Sequence, residues 1–123
     1  MRKAVIDMGT NSTRLAVGSL QDGTLKIEFT QVLETRLGEG MGTERIIKPE
    51  PLQRNVDAVR QFVQQAEAMG VESLRITATS AVRDAANKQQ VQQAIEAAAG
   101  MELEILPGET EAQLSYLGAS GDF

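Results

Sequence analysis

The segment DMGTNSTR, at residues 7–14, carries side chains and glycine spacing suited to holding an anion and a cation together. Gly9 allows a tight turn in which the backbone N–H groups of Thr10, Asn11 and Ser12 converge into an anion-binding nest, and the hydroxyl groups add donors. Asp7 faces the same space and offers oxygen ligands to a divalent cation or a water molecule. The same residues also suit an ordinary hairpin turn in which polar side chains bond their own backbone, so both interpretations stay open on this segment alone.

A second polar segment, TATSAVRDA at residues 77–85, follows a predicted strand. Thr79 and Arg83 come just beyond the carboxyl end of that strand, the usual position of ligands in sheets with helical crossovers. The guanidinium of Arg83 can donate two parallel hydrogen bonds to phosphate oxygens. The alternative is a surface ion pair with Asp84, which contributes about 0–1 kcal/mol to stability.

A third segment, PGETEAQL at residues 107–114, begins a predicted helix with acidic side chains. Carboxylates in a first turn are expected from the helix dipole alone. The functional interpretation is that Glu111 faces the same cleft as Asp7 and takes a proton from a water molecule that attacks phosphorus. Glu109 diverges from Glu111 by about 200° around the helix axis, so the two glutamates are not a paired acid and base.

Three glycines make the segment RLGEGMG, at residues 36–42, a predicted flexible loop. The segment does not lie between a strand and a helix N-terminus, as the dinucleotide-binding fingerprint requires. We therefore interpret it as a loop near the cleft and not as a nucleotide motif.

The composition limits the chemistry that these segments can perform. The 123 residues, of which 41% are apolar, suit one globular domain over residues 1–123. Because the chain has no histidine and no cysteine, acid–base and metal chemistry fall to carboxylates and other oxygen ligands. A net charge of −5 argues against nucleic acid as a partner, so an anionic ligand needs a local binding device. The start MRKAVIDMG lacks the apolar run of a signal peptide or membrane span, which predicts a cytoplasmic protein without a membrane partner.

Hydropathy patterns and turn residues predict the elements that position these segments. Strands are expected at 4–6, 15–20 and 24–33, with Asp22-Gly23 as the hairpin turn, and at 74–78 and 103–105. Helices are expected from Pro49 or Pro51 to a cap at Gly70, over 88–99 with Gly100 closing it, and over 109–117. The order βββαβαβα predicts an α/β domain with a mixed five-stranded sheet and helices on its faces, the ribonuclease-H-like arrangement.

Four segments taken in order resemble one family: VIDMGTNSTRL, TRLGEGM, TATSAVRDAANK and EILPGETEAQLSYLG. They are similar to the N-terminal domain of the exopolyphosphatase/guanosine pentaphosphate phosphohydrolase (Ppx/GppA) family, within the actin-like and sugar-kinase superfamily. The resemblance covers nearly the whole chain. It implies cleavage of terminal phosphate from inorganic polyphosphate, or conversion of pppGpp to ppGpp, with Mg²⁺ or another divalent cation as the cofactor.

The resemblance also implies roles for individual residues. Asp7 lies near the metal, and Arg83 of the family's TxxxR element contacts phosphate. Glu111 aligns with the second glutamate of the family's SGxEEARL segment, the proposed general base, whereas Thr110 and Gln113 depart from that segment. The implied substrate-binding residues are Gly9, Thr10, Asn11, Ser12, Thr13 and Thr79.

The family's second phosphate loop, DxGGGSxE, does not occur in this sequence. We therefore expect the N-terminal half of a phosphohydrolase, with little turnover by itself and with the remainder of its own chain as a partner. A homodimer of the full-length protein is a further expectation from the resemblance. Two alternatives stay open: a module that binds polyphosphate or an alarmone without cleaving it, and half of an ATP-dependent kinase relative.

Overall fold

A computed structural model of the chain describes residues 1–107. The elements are β1 (Arg2–Met8), β2 (Thr13–Gln21), β3 (Thr24–Leu33), α1 (Pro49–Ala68), β4 (Ser73–Ala78), α2 (Ser80–Arg83), α3 (Lys88–Ala99) and β5 (Leu103–Ile105). The predicted strands and the two long helices are confirmed, with small shifts at their ends. The single-turn helix α2 was not predicted, and the predicted helix at 109–117 lies outside the described residues.

β1 is the middle strand of a five-stranded sheet with the order β3-β2-β1-β4-β5. It pairs antiparallel with β2 and parallel with β4, and β4 pairs parallel with β5. Ala4, Val5 and Ile6 are all buried, as their continuous apolar run predicts for a central strand. The predicted ribonuclease-H-like arrangement of a mixed sheet with helices is confirmed for this part of the chain.

The turn between β2 and β3 is formed by Asp22 and Gly23, whose φ angles are 53° and 77°. A two-residue type I′ turn requires positive φ at both central positions, and its twist matches that of the flanking strands. The pairing of β2 with β3 shifts register between Val17 and Gly18, which increases the local twist. The predicted hairpin is thus confirmed, and its turn lies at the end of the sheet opposite to the loop that follows β1.

Helices α1 and α3 pack against each other and against one face of the sheet. Ile6, Leu15 and Ile76 from the strands share this core with Phe62 of α1 and Ile95 of α3, and each is fully buried. Burial of one such side chain contributes about 1.5–3 kcal/mol. This layer therefore supplies the rigid support from which the loops at the carboxyl ends of β1 and β4 project.

The predicted cap of α3 at Gly100 is confirmed, whereas the cap of α1 lies at Met69, one residue before the predicted Gly70. The left-handed C-cap of α3 is Gly100, with φ 70°, and its N–H donates to the carbonyl of Glu96 at 2.9 Å. Gly70, with φ 73°, follows the C-cap residue Met69 of α1. No helix within residues 1–107 is both long and apolar enough to cross a membrane.

Candidate functional site

The loop of residues 9–12 connects β1 to β2 in one tight turn. The N–H of Gly9 donates to the carbonyl of Ser12 at 2.9 Å, which closes the turn. A Cβ atom on Gly9 would lie 3.1 Å from that carbonyl oxygen, so glycine gives the closest fit. The N–H groups of Thr10, Asn11 and Ser12 make no hydrogen bond with any residue between 1 and 107. Three successive donors are therefore available to an anion at this turn.

The segment 35–39 packs against the loop 9–12 and is hydrogen-bonded to it. The N–H groups of Arg36 and Gly38 donate to the carbonyls of Asn11 and Thr10 at 3.0 and 3.1 Å. A Cβ atom on Gly38 would lie only 2.8 Å from Thr10 Cγ2, so the two backbones approach more closely than a side chain permits. These contacts occupy the carbonyl oxygens of Thr10 and Asn11 and use none of the N–H groups of Thr10, Asn11 and Ser12.

Arg54 of α1 fixes the segment 35–39 in turn. Its guanidinium donates to the carbonyls of Thr35 and Arg36 at 2.9 and 3.3 Å and to the Glu39 carboxylate at 2.7 Å. The hydrogen bond from Arg54, together with the positive charges of Arg36 and Arg54, lowers the pKa of Glu39 below its ordinary value of 4.5. The predicted flexible loop is thus tied to the first helix at its start, and its mobility remains a prediction.

Thr13 lies in the interior of the domain. It pairs with Met8 at the start of β2 and is fully buried on the face covered by α1. Its hydroxyl donates to Asn55 Oδ1 at 2.7 Å and lies 2.9 Å from the hydroxyl of Thr35. Asn55 Nδ2 then donates to the carbonyl of Pro51 at 2.9 Å. The strand alternation that places Leu15 in the core also places Thr13 there, so the sequence already contained the signal that its hydroxyl faces α1.

A cleft of about 340 Å³ opens between the loop 9–12, the glycine-rich segment 36–42 and the start of α2. The residues that line it are Thr10, Gly38, Met41, Gly42, Arg45, Ser80, Ala81 and Asp84. The structure therefore brings together three segments singled out in the sequence, at residues 7–14, 36–42 and 77–85. Among the predicted site residues within 1–107, Thr10 is the one that lines this cleft.

Arg83 lies at the end of α2, beside the cleft. Its Nη1 donates to the carbonyl of Pro107 at 2.8 Å, and its Nε lies 3.3 Å from Asp84 Oδ1. The pairing with Asp84 is the alternative that the sequence offered for this arginine. The N–H of Arg83 donates to the carbonyl of Thr79 at 2.9 Å, and Thr79 itself is buried. Thr79 thus contacts the backbone of Arg83 through its own backbone.

Asp7 is buried near the carboxyl end of β1 and is 9% exposed. The register places it beside Arg14 of β2 and Thr77 of β4, on the sheet face opposite to the α1 core. Residues 1–107 hold no group of three His, Cys, Asp or Glu side chains that could bind a metal. Mg²⁺ is commonly held by one or two carboxylates together with water and phosphate oxygens. A single carboxylate at Asp7 fits that mode of binding.

Glu111, the predicted general base, lies outside the described residues, as does Glu109. Two residues that organise the site within residues 1–107 were not predicted from the sequence. Arg45 lines the cleft although it is far in sequence from the loop 9–12. Asn55 is a polar residue on the buried side of α1, where the helical pattern predicts apolar residues. Only the tertiary packing reveals either role.

Comparison with known proteins places these features in context. Residues 17–123 match the model of the Ppx/GppA phosphatase family. Exopolyphosphatase 2 of Mycobacterium tuberculosis is 34% identical over 98% of this chain and 41% of its own length. A guanosine-5'-triphosphate,3'-diphosphate pyrophosphatase of Photobacterium profundum is 26% identical over 95% of this chain and 24% of its own length. The crystal structure of the Aquifex aeolicus Ppx/GppA family member matches with a TM-score of 0.86 and 26% identity, over 98% of this chain and 39% of that chain.

Proposed function

Because the chain belongs to the Ppx/GppA phosphatase family, we propose that it forms the phosphate-binding part of an enzyme that hydrolyses a phosphoanhydride chain, inorganic polyphosphate or pppGpp. One relative is named an exopolyphosphatase and another a guanosine-5'-triphosphate,3'-diphosphate pyrophosphatase, so both substrates are represented. The chain spans 41% and 24% of these two relatives, and the activity of the whole protein is therefore part of the proposal.

The loop 9–12 is the feature that supports this function best. Thr10, Asn11 and Ser12 present three N–H groups that have no acceptor within residues 1–107, next to a cleft lined by Thr10. The hydrogen bonds from Arg36 and Gly38 hold the carbonyls of Asn11 and Thr10 in this loop, which supports N–H donors already in place when charge develops on a phosphoryl oxygen. Loss of one such preorganised donor typically lowers kcat by about 10²–10³.

Arg83 is proposed to stabilise the charge on a phosphate group. In the complex its guanidinium turns from the Asp84 carboxylate, 3.3 Å away, towards phosphate oxygens that carry more negative charge. Thr79 supports this role through the hydrogen bond between its carbonyl and the Arg83 amide. Gly9 shapes the turn, and Thr13 acts from the interior by holding the end of the loop, since its hydroxyl is engaged with Asn55 and Thr35.

Glu111 is proposed as the general base. It takes a proton from the attacking water molecule while the new bond from oxygen to phosphorus forms and the bond to the bridging oxygen of the leaving group breaks. Asp7 is the residue proposed to hold Mg²⁺, which when bound neutralises part of the phosphate charge. Asp7 lies near the carboxyl end of β1, just before the loop 9–12, which supports this assignment.

A titration of the chain with inorganic tripolyphosphate and Mg²⁺, followed by amide NMR, tests the binding site. We expect the amide signals of Thr10, Asn11 and Ser12 to shift, together with the Nε–H signal of Arg83. The amides of the distant hairpin turn at Asp22 and Gly23 serve as an internal control and should not move. Shifts spread evenly over the surface, or no shifts at all, would contradict the proposal.

The E111Q variant tests the chemical step separately. In the complete protein, phosphate release from polyphosphate should be lost, while tripolyphosphate binding persists because the loop 9–12 is unchanged. Release at the wild-type rate would overturn the assignment of Glu111 as the base. Binding by the wild-type protein without any phosphate release would favour a non-catalytic binding module.

A further inference from the structure

Arg45 carries a second positive charge at the cleft. It is exposed and lines the same cavity as Thr10 of the loop 9–12 and Ser80 of α2. Its guanidinium makes no hydrogen bond and no ion pair with any residue in the described range 1–107. A charged side chain that projects into a cleft without a protein partner is available to a ligand.

Within residues 1–107, the other charged residue that lines the cleft is Asp84. Its carboxylate lies 3.3 Å from Arg83 Nε, so in the ligand-free protein this pair offsets part of its negative charge. Among the lining residues that fall within 1–107, Arg45 is therefore the one that carries a positive charge. The positive charge contrasts with the net charge of −5 for the whole chain.

The backbone of Arg45 is fixed in a conformation that disfavours arginine. Its φ of 56° lies in the left-handed region, where the Cβ atom of a non-glycine residue crowds the following carbonyl oxygen. Two hydrogen bonds hold it there: its carbonyl accepts from the N–H of Ala86 at 2.8 Å, and its N–H donates to the carbonyl of Gly42 at 3.3 Å. Glycine would satisfy the same backbone without this crowding. Residues held in such regions are concentrated at functional sites.

We propose that Arg45 is a further substrate-binding residue, which contacts a phosphate group of the phosphoanhydride chain while the loop 9–12 holds another. The planar guanidinium matches two phosphate oxygens at once, which an ammonium group does not. This inference rests on the proposed function, because it assigns a second contact to the same ligand.

Isothermal titration calorimetry with inorganic tripolyphosphate and Mg²⁺ tests this role in three variants. R45G should lower the affinity about tenfold or more, the effect of losing a hydrogen bond between charged groups, while its Tm stays the same or rises. R45K keeps the charge but not the planar fork and should give an intermediate affinity. The matched control is R60A, which removes an exposed arginine of α1 that is not among the residues lining the cleft, and it should lower the affinity less than about twofold, since an exposed charge is screened by salt.

The outcomes separate this inference from the proposed function. If the wild-type chain binds no tripolyphosphate, both are overturned. If the wild type binds and R45G binds equally well, or R60A loses as much affinity as R45G, only the role of Arg45 is refuted. A parallel titration with GTP distinguishes the two sources of phosphate: a loss for GTP alone would show contact with the nucleoside and would also refute a phosphate contact.

Discussion

Replacing Gly38 with alanine should displace the loop 9–12. The new Cβ atom would lie 2.8 Å from Thr10 Cγ2, well inside the 3.4 Å at which ordinary contacts begin. The φ of Gly38 is not positive, so alanine adds no backbone strain and the effect comes from this contact. Overpacking of this kind costs about 1–3 kcal/mol of unfolding free energy. We also expect the tripolyphosphate affinity to fall by about tenfold, because the displaced Thr10 N–H loses its alignment with a charged acceptor.

A double-mutant cycle isolates the contact. The T10S variant removes Cγ2 but keeps the hydroxyl, so adding G38A to T10S should cost about 1 kcal/mol less than adding it to the wild type. Urea unfolding and calorimetric titration of the four proteins measure both effects. G23A is the matched control: its φ of 77° makes alanine destabilising at the hairpin turn, far from the cleft, and its affinity should not change. Equal costs of G38A in both backgrounds would refute the steric argument.

Three further perturbations test the surrounding structure. N55A should lower the unfolding free energy by about 1–3 kcal/mol in urea, because the buried Thr13 hydroxyl loses its acceptor, and an unchanged midpoint would contradict that network. The pKa of Glu39 is lowered chiefly by its hydrogen bond from Arg54, so its contribution to stability is full above the ordinary value of 4.5 and is lost as the pH falls through the lowered pKa. E39Q should therefore flatten the pH dependence of unfolding below 4.5, and an unaltered slope would refute the coupling. F62A should cost about 3–5 kcal/mol at the centre of the core, and a smaller loss would mean that the cavity collapses.

Features that depend on neighbouring residues could be predicted from the sequence. The turn at Asp22-Gly23 and the cap at Gly100 follow from the few residues that accept positive φ, and both are confirmed. The apolar run before Asp7 predicted a central strand, because a strand buried on both faces carries apolar residues in succession and does not alternate them with polar ones. The short helix α2 escaped prediction since four residues are too few to display a helical period.

Features that depend on packing between distant segments could not be predicted in the same way. Arg45 reaches the cleft because its carbonyl is bonded to Ala86, a contact that no local pattern encodes. Its place in the motif predicts Thr13 as a substrate-binding residue, whereas the alternation of side chains along β2 directs its hydroxyl towards Asn55. A family motif thus identifies the segment, and the strand register decides which of its side chains lie on the face covered by α1.

The parallel pairing of β1 with β4 also determines when the cleft can exist during folding. Lys3 pairs with Ser73, so a long stretch of chain, which includes the β2–β3 hairpin and α1, lies between the two paired strands. Closing a loop of that length is slow compared with forming a hairpin. The loop 9–12 can therefore form early, together with the antiparallel pair β1–β2 that it connects. Helix α2, which contributes Ser80 to the cleft, reaches the loop only when β4 pairs with β1. A phosphate chain that contacted both the loop 9–12 and α2 would slow the separation of β4 from β1 and so prolong the lifetime of the native state.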